Sequence, residues 1–136
     1  MPMMPSPLAA VAYGAVKLIG YAYFAKTLNR TAGRAISPYK FGVAKTAIGL
    51  AGGVAYMLVL LPAFGLRDGS DLQAFLGAIP VRLVAWSITL AIFYGFKDRP
   101  LLIITAVAAG TAWSYVLDGV MWLLYKVMPG MVMPFC

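Results

Sequence analysis

One uninterrupted apolar segment decides the fold of this chain: residues 101–125 read LLIITAVAAGTAWSYVLDGVMWLLY. The segment contains a single charged residue, Asp118. A helix needs about 20 residues to cross the hydrocarbon core of a bilayer, and this segment is longer. Its apolar positions run continuously instead of alternating, which excludes a membrane β-strand. The segment therefore predicts a transmembrane helix.

Similar apolar segments precede it. Of the 136 residues, 62% are hydrophobic and 11% are charged, whereas a soluble domain averages roughly half and about a quarter. This composition excludes both a soluble globular domain and a disordered chain. We predict an all-α fold, an integral membrane four-helix bundle. It forms one domain over residues 1–136, with helices at about 8–25, 41–65, 72–96 and 101–125.

The basic residues lie mainly on one side of these predicted helices. Seven flank the first and third loops, namely Lys26, Arg30, Arg34, Lys40, Lys45, Lys97 and Arg99. Only Arg67 and Lys126 flank the opposite side. Because positively charged loops stay in the cytoplasm, we expect both termini on the outer, extracytoplasmic side. We expect the location to be the inner (plasma) membrane of a bacterium.

Lys26, Arg30 and Arg34 recur every four residues, so a first helix that continues past the membrane would present them as one basic stripe. Such a stripe binds anionic lipid headgroups, with about 1 kcal/mol from each basic residue. The topology rule alone predicts the same residues, so both interpretations stay open. The net charge of +7 is spread between apolar runs, and we therefore expect no nucleic-acid partner.

The composition also excludes most catalytic chemistry. The chain has no His and no Glu, which rules out His-ligated zinc or haem, Ser-His-Asp catalysis and paired-Glu di-iron sites. A single cysteine, Cys136, permits no internal disulfide. We expect neither a cofactor nor a metal. In length and number of spans the chain resembles the small membrane enzymes of eicosanoid and glutathione metabolism, but it lacks their Glu and His signature.

Three ionisable residues fall inside the predicted helices at similar depths: Lys17, Arg82 and Asp118. A charge near the bilayer centre costs about 2.5–3.5 kcal/mol, so each should face protein or water. One interpretation is a polar site for an anionic ligand such as a lipid phosphate or a carboxylate. Three further residues would surround that site, namely Tyr13, Ser114 and Tyr115. The other interpretation is a buried ion pair that only fixes the register of the helices.

Small residues point to close helix packing. Gly49 and Gly53 form a G-x-x-x-G pair, and Gly110 lies on the same helical face as Asp118. The pair predicts either an oligomer interface or a contact with another helix of the same chain. The sequence does not discriminate between these two.

Three classes of function remain, and we favour a non-enzymatic accessory or scaffold subunit of a larger membrane assembly. The alternative is a homo-oligomeric transporter, or a bundle that binds anionic lipid or solute at the Lys17, Arg82 and Asp118 cluster. A lipid-modifying enzyme is less well supported, because one intramembrane carboxylate offers no acid–base pair. Soft ligands between Met128 and Cys136 also raise a Cu(I)-handling role, with weak support because their spacing is irregular.

Overall fold

The computed structural model of the protein describes residues 7–65, 71–95 and 99–127. The described residues form helices and no strands, which confirms the all-α prediction. The elements are α1 (Pro7–Ala32), α2 (Pro38–Ala55), α3 (Leu61–Ala63), α4 (Asp71–Gly77), α5 (Ile79–Tyr94) and α6 (Pro100–Val127). A π-helical turn at Tyr56–Leu60 joins α2 to α3, so one continuous helix runs over Pro38–Ala63.

The first helix is longer than its hydropathy indicates. It continues to Ala32, past the predicted end at residue 25, because hydropathy marks only the part of a helix that suits the bilayer. Arg30 lies in its last turn, where a cation stabilises the negative end of the helix dipole. Gly33 follows with φ +65°, a left-handed conformation that ends helices and favours glycine.

The third apolar segment is divided near Pro80. α4 ends at Gly77, α5 begins at Ile79, and Pro80 occupies the first turn of α5. A proline is tolerated in a first turn because its missing N–H would have no partner there. The division leaves α4 as a short separate helix next to the first residues of α5.

Aromatic side chains form the core between the long helices. α1 packs against α2 and α6, and α5 packs against the same two helices. Trp86 on α5 is completely buried at the centre, with ring centroids 5.6 Å from Tyr21, 4.9 Å from Phe24 and 6.0 Å from Phe41. The helices are thus held by side chains at mid-length, where the polar residues described below also lie.

Three of the four long helices are long and apolar enough to cross a membrane: Pro38–Ala63, Phe75–Tyr94 and Pro100–Leu124. The chain is accordingly a membrane helical protein. α1 is not among these three, so the crossing of the membrane by α1 stays a prediction. α1 carries Lys17 in its middle and several polar residues after Ala25, which lower its hydropathy.

Candidate functional site

Lys17, Arg82 and Asp118 come together between α1, α5 and α6. The Lys17 ammonium forms an ion pair with Asp118 Oδ1, and Arg82 Nη2 lies 2.5 Å from Asp118 Oδ2. Their side chains are 2%, 8% and 3% exposed, respectively. We call these three residues the Asp118 cluster. Three different helices each contribute one member, so the cluster exists only when the helices are packed.

The Asp118 carboxylate does not satisfy all the donors that face it. The contact between Arg82 and Oδ2 is close but lacks hydrogen-bond alignment, so Oδ2 has no hydrogen-bond partner. Arg82 Nε and Nη1 are likewise buried without a hydrogen-bond partner among the described residues. Buried polar groups are usually satisfied, so these atoms mark a site with spare hydrogen-bonding capacity.

Aromatic rings enclose the cations of the cluster. The Arg82 guanidinium carbon lies 4.2 Å from the centroid of the Tyr115 ring and 5.8 Å from that of Phe75. Tyr115 donates its hydroxyl hydrogen bond to the Phe75 carbonyl at 3.0 Å, which ties α6 to α4. The Lys17 ammonium lies 5.4 Å from the Tyr13 ring centroid. Such contacts stabilise a desolvated cation by about 1–2 kcal/mol each.

Ser114 lies deeper in the bundle than the sequence predicts, next to the central aromatic residues. Its Oγ donates to the Gly110 carbonyl at 3.1 Å, accepts from Trp86 Nε1 at 2.9 Å and lies 3.3 Å from the Tyr21 hydroxyl oxygen. Its side chain therefore connects the central aromatic residues instead of lining the Asp118 cluster directly.

A third buried cation, Lys45 on α2, was missed by sequence reasoning. It is 2% exposed, and its ammonium lies 5.0 Å from the Tyr21 ring centroid and 4.9 Å from the Trp86 ring centroid. We call these three residues the Lys45 aromatic cage. The sequence places Lys45 among the residues that flank the first loop, whereas α2 begins at Pro38 and places Lys45 about 10 Å from its start. Ser37-Pro38 was the available signal.

The predicted packing glycines fall in different environments. Gly110 lies beneath the Trp86 ring, where an added Cβ would come within 2.6 Å of ring atoms. Gly53 is buried and Gly49 is partly buried, on the helical face that also carries buried Lys45. That face points into the chain, which favours packing within one copy. The tightest backbone approach involves Gly42, which the sequence did not single out.

The basic stripe has only two members on the helix. Lys26 and Arg30 are exposed and lie one turn apart on α1. Arg34 follows the helix end at Gly33 and therefore leaves the four-residue repeat. Its N–H bonds the Asn29 carbonyl at 3.2 Å. The expectation that all three residues share one helical stripe is wrong for Arg34.

Two further expectations from the sequence concern metal binding and the C-terminal segment. Across 7–65, 71–95 and 99–127, no three His, Cys, Asp or Glu side chains approach one another closely enough to hold a metal ion. The Met-rich segment 128–136, on which the Cu(I) hypothesis rests, lies outside the described residues.

No family model matches this chain, and no curated protein or solved structure is significantly similar to it. The proposals below therefore rest on its own residues.

Proposed function

We propose that this protein binds an anionic group, a phosphate or a carboxylate, between α1, α5 and α6. One observation carries the proposal: Lys17 and Arg82 are both at most 7% exposed as whole residues, and they share Asp118, the only buried acid in the described residues. The Asp118 cluster thus has one more positive charge than negative ones. An anion of a lipid or of a small solute would balance this excess.

An ion pair that merely fixes helix register needs one cation for each carboxylate. Every further buried cation costs several kcal/mol of desolvation that the pair itself does not offset. The Asp118 cluster has two cations for one carboxylate. This excess supports ligand binding over a purely structural role.

Arg82 is the residue best suited to contact the ligand. A guanidinium matches carboxylate and phosphate oxygens with two parallel hydrogen bonds, and Arg82 Nε and Nη1 both lack a hydrogen-bond partner in the part of the chain that the structure describes. Lys17 supplies a second charge on the opposite side of Asp118. The rings of Phe75 and Tyr115 next to the guanidinium suit a ligand with an apolar body, such as an anionic lipid.

The proposal includes a topology. The basic end, which we define as Lys26, Arg30, Arg34, Lys40 and Arg99, faces the cytoplasm of a bacterial inner membrane, and both termini face outward. All four long helices cross the bilayer as one bundle. The Asp118 cluster then lies in the outer half of the membrane. The chain assembles as a homo-oligomer when it acts in transport, because four helices alone rarely enclose a solute path.

Native mass spectrometry of the protein in nanodiscs that contain phosphatidylglycerol tests this function. The wild-type protein should retain the anionic lipid, and Arg82→Gln should retain one lipid fewer per chain. Lys40→Gln is the matched control, because Lys40 is exposed in the first turn of α2 and its loss removes the same charge. Equal retention by all three proteins would contradict the proposal.

An accessory role in a larger assembly is the second candidate, and the outer surface of α2 favours it. Only 11% of the apolar window in Pro38–Ala63 is buried within the chain. Exposed apolar residues recur along this helix at Val43, Leu50, Val54 and Leu58. A different polypeptide bound in fixed ratio after gentle extraction, with no anionic lipid retained, would favour this role and leave the Asp118 cluster structural.

A further inference from the structure

A cavity of about 210 Å³ opens at the basic end, between the carboxyl ends of α1 and α5 and the start of α6. Its lining includes Gly33, Arg34, Tyr94, Gly95, Arg99 and Leu102. A water molecule occupies about 30 Å³ in the liquid, so the cavity accommodates a group the size of a phosphate. It lies at the other end of the helices from the Asp118 cluster and shares no residue with it.

The charges around this cavity favour an anion. Arg34 and Arg99 both line it, and the described lining residues include no acid. The start of α6 adds the positive end of its helix dipole, whereas the ends of α1 and α5 contribute negative ends. At the start of α6, Pro100 has no N–H, and the N–H groups of the next two residues lack partners within the helix. Backbone donors and guanidinium groups thus meet at one cavity.

Hydrogen bonds fix the loop that carries Arg34. Asn29 Nδ2 donates to the Ile36 carbonyl at 2.6 Å, and the Tyr94 hydroxyl donates to Asn29 Oδ1 at 2.7 Å. The Arg34 N–H donates to the Asn29 carbonyl at 3.2 Å. Asn29 therefore holds both sides of the loop and links it to the end of α5. A site whose walls are held in this way loses less conformational entropy when a ligand binds.

The position of the cavity relative to the membrane indicates the source of the anion. One apolar span ends at Tyr94 and the next begins at Pro100, so the cavity lies where these spans meet the headgroup layer. Basic cavities between helices at this level suit phosphate-bearing lipid headgroups.

We infer that this cavity binds a phosphate group, supplied by the headgroup of an anionic lipid. The two arginines bind the phosphate oxygens, and the first turn of α6 provides backbone donors. This inference does not depend on ligand binding at the Asp118 cluster.

The experiment compares two pairs of substitutions that remove the same charge from the same end. Arg34→Gln with Arg99→Gln changes the cavity, and Lys26→Gln with Arg30→Gln changes the exposed face of α1. Each protein is placed in phosphatidylcholine nanodiscs containing a minor fraction of phosphatidylglycerol, and retained lipid is counted by native mass spectrometry. Inorganic phosphate is then added as a competitor.

Because the Asp118 cluster is proposed to bind the same lipid, every protein in this comparison also carries Arg82→Gln. In this background the cavity pair should lower the enrichment of phosphatidylglycerol at least tenfold, and the α1 pair less than threefold. Leu102→Trp, which fills the cavity while keeping both arginines, should lower it as the cavity pair does. Loss of lipid on adding phosphate would identify a site open to soluble phosphate as well, and resistance to phosphate would identify a headgroup site. Equal losses for the two pairs would indicate diffuse surface attraction, and that result, or no enrichment with Arg82→Gln alone, overturns the inference.

Discussion

The Asp118 cluster and the Lys45 aromatic cage accommodate buried lysines by different means. Lys17 and Lys45 are both 2% exposed. Lys17 is paired with a carboxylate that also contacts Arg82, whereas Lys45 lies near the faces of the Tyr21 and Trp86 rings. Ion pairing depends on one acidic group, while the aromatic contacts are divided between two rings. The two regions should therefore respond differently to substitution.

The two regions are also connected. Tyr21 contributes to both, because its ring centroid lies 5.8 Å from the Lys17 ammonium and 5.0 Å from that of Lys45. Ser114 holds the Trp86 indole and lies near the Tyr21 hydroxyl. Polar groups are thus continuous from the Asp118 cluster to the Lys45 aromatic cage.

The largest effect is expected from Asp118→Asn. The substitution keeps the shape of the side chain but leaves Lys17 and Arg82 buried without a counter-charge, which should lower the free energy of unfolding by about 3–5 kcal/mol. Unfolding in mixed micelles with increasing SDS measures this loss. A loss below about 1 kcal/mol would mean that the two cations do not depend on Asp118, and the distinction between the two regions would fail.

Gly42→Ala should disturb the side of the bundle next to the Lys45 aromatic cage. An added Cβ would lie 2.9 Å from the Leu18 carbonyl oxygen, a backbone atom that cannot rotate away. Pushing α2 from α1 should cost about 1–3 kcal/mol. Gly14→Ala is the matched control, because nothing lies within 4 Å of its added Cβ, and alanine should stabilise that helix by up to about 1 kcal/mol. Equal changes for the two variants would contradict the close α1–α2 contact.

Ser114→Ala tests the connection between the regions. It leaves the buried Trp86 indole N–H without its acceptor, which should cost about 1–2 kcal/mol. Trp86→Phe should cost less in the Ser114→Ala background than in the wild type, since the unsatisfied donor is then removed together with the indole. Thermal unfolding of the single and double variants in one detergent measures the coupling. Additive losses would mean that the indole finds another partner.

How much of the fold and of the site could be predicted depended on the range over which each sequence signal acts along the chain. Hydropathy is a property of single segments, and it located all four long helices. Helical rise gave similar depths for Lys17, Arg82 and Asp118, and their side chains are in contact, whereas their use as a ligand site stays a prediction. Lys45 was misplaced because it was counted among the basic residues that flank the first loop, although it lies two turns inside α2.

Contacts between segments were harder to foresee. The need for glycine at position 42 depends on where the Leu18 backbone lies, and the role of Ser114 depends on Trp86 reaching it from another helix. Neither partner is marked by spacing within one segment. The cavity at the basic end likewise forms from three helix ends that are distant in sequence.

Lys45→Met is the most direct test of the difference between the Asp118 cluster and the Lys45 aromatic cage, although its expected effect on the free energy of unfolding is the smallest. Methionine loses the cation–π contacts, worth about 2 kcal/mol together, but it avoids the desolvation of a charge and makes its own favourable contacts with aromatic rings. These terms oppose each other, so the free energy of unfolding should change by less than about 1 kcal/mol. Lys17→Met deprives Asp118 of a direct partner and should cost about 2 kcal/mol or more.

Lys40→Met is the control for Lys45→Met, because Lys40 is an exposed lysine on the same helix, and its loss should change stability by less than about 0.5 kcal/mol. SDS unfolding of the three variants ranks them. If Lys45→Met costs as much as Lys17→Met, the contacts of the Lys45 aromatic cage stabilise a buried charge as strongly as Asp118 does, and the distinction between the two regions fails. If Lys45→Met is neutral, the ammonium is not required for folding, because the aromatic contacts only offset the desolvation of its charge.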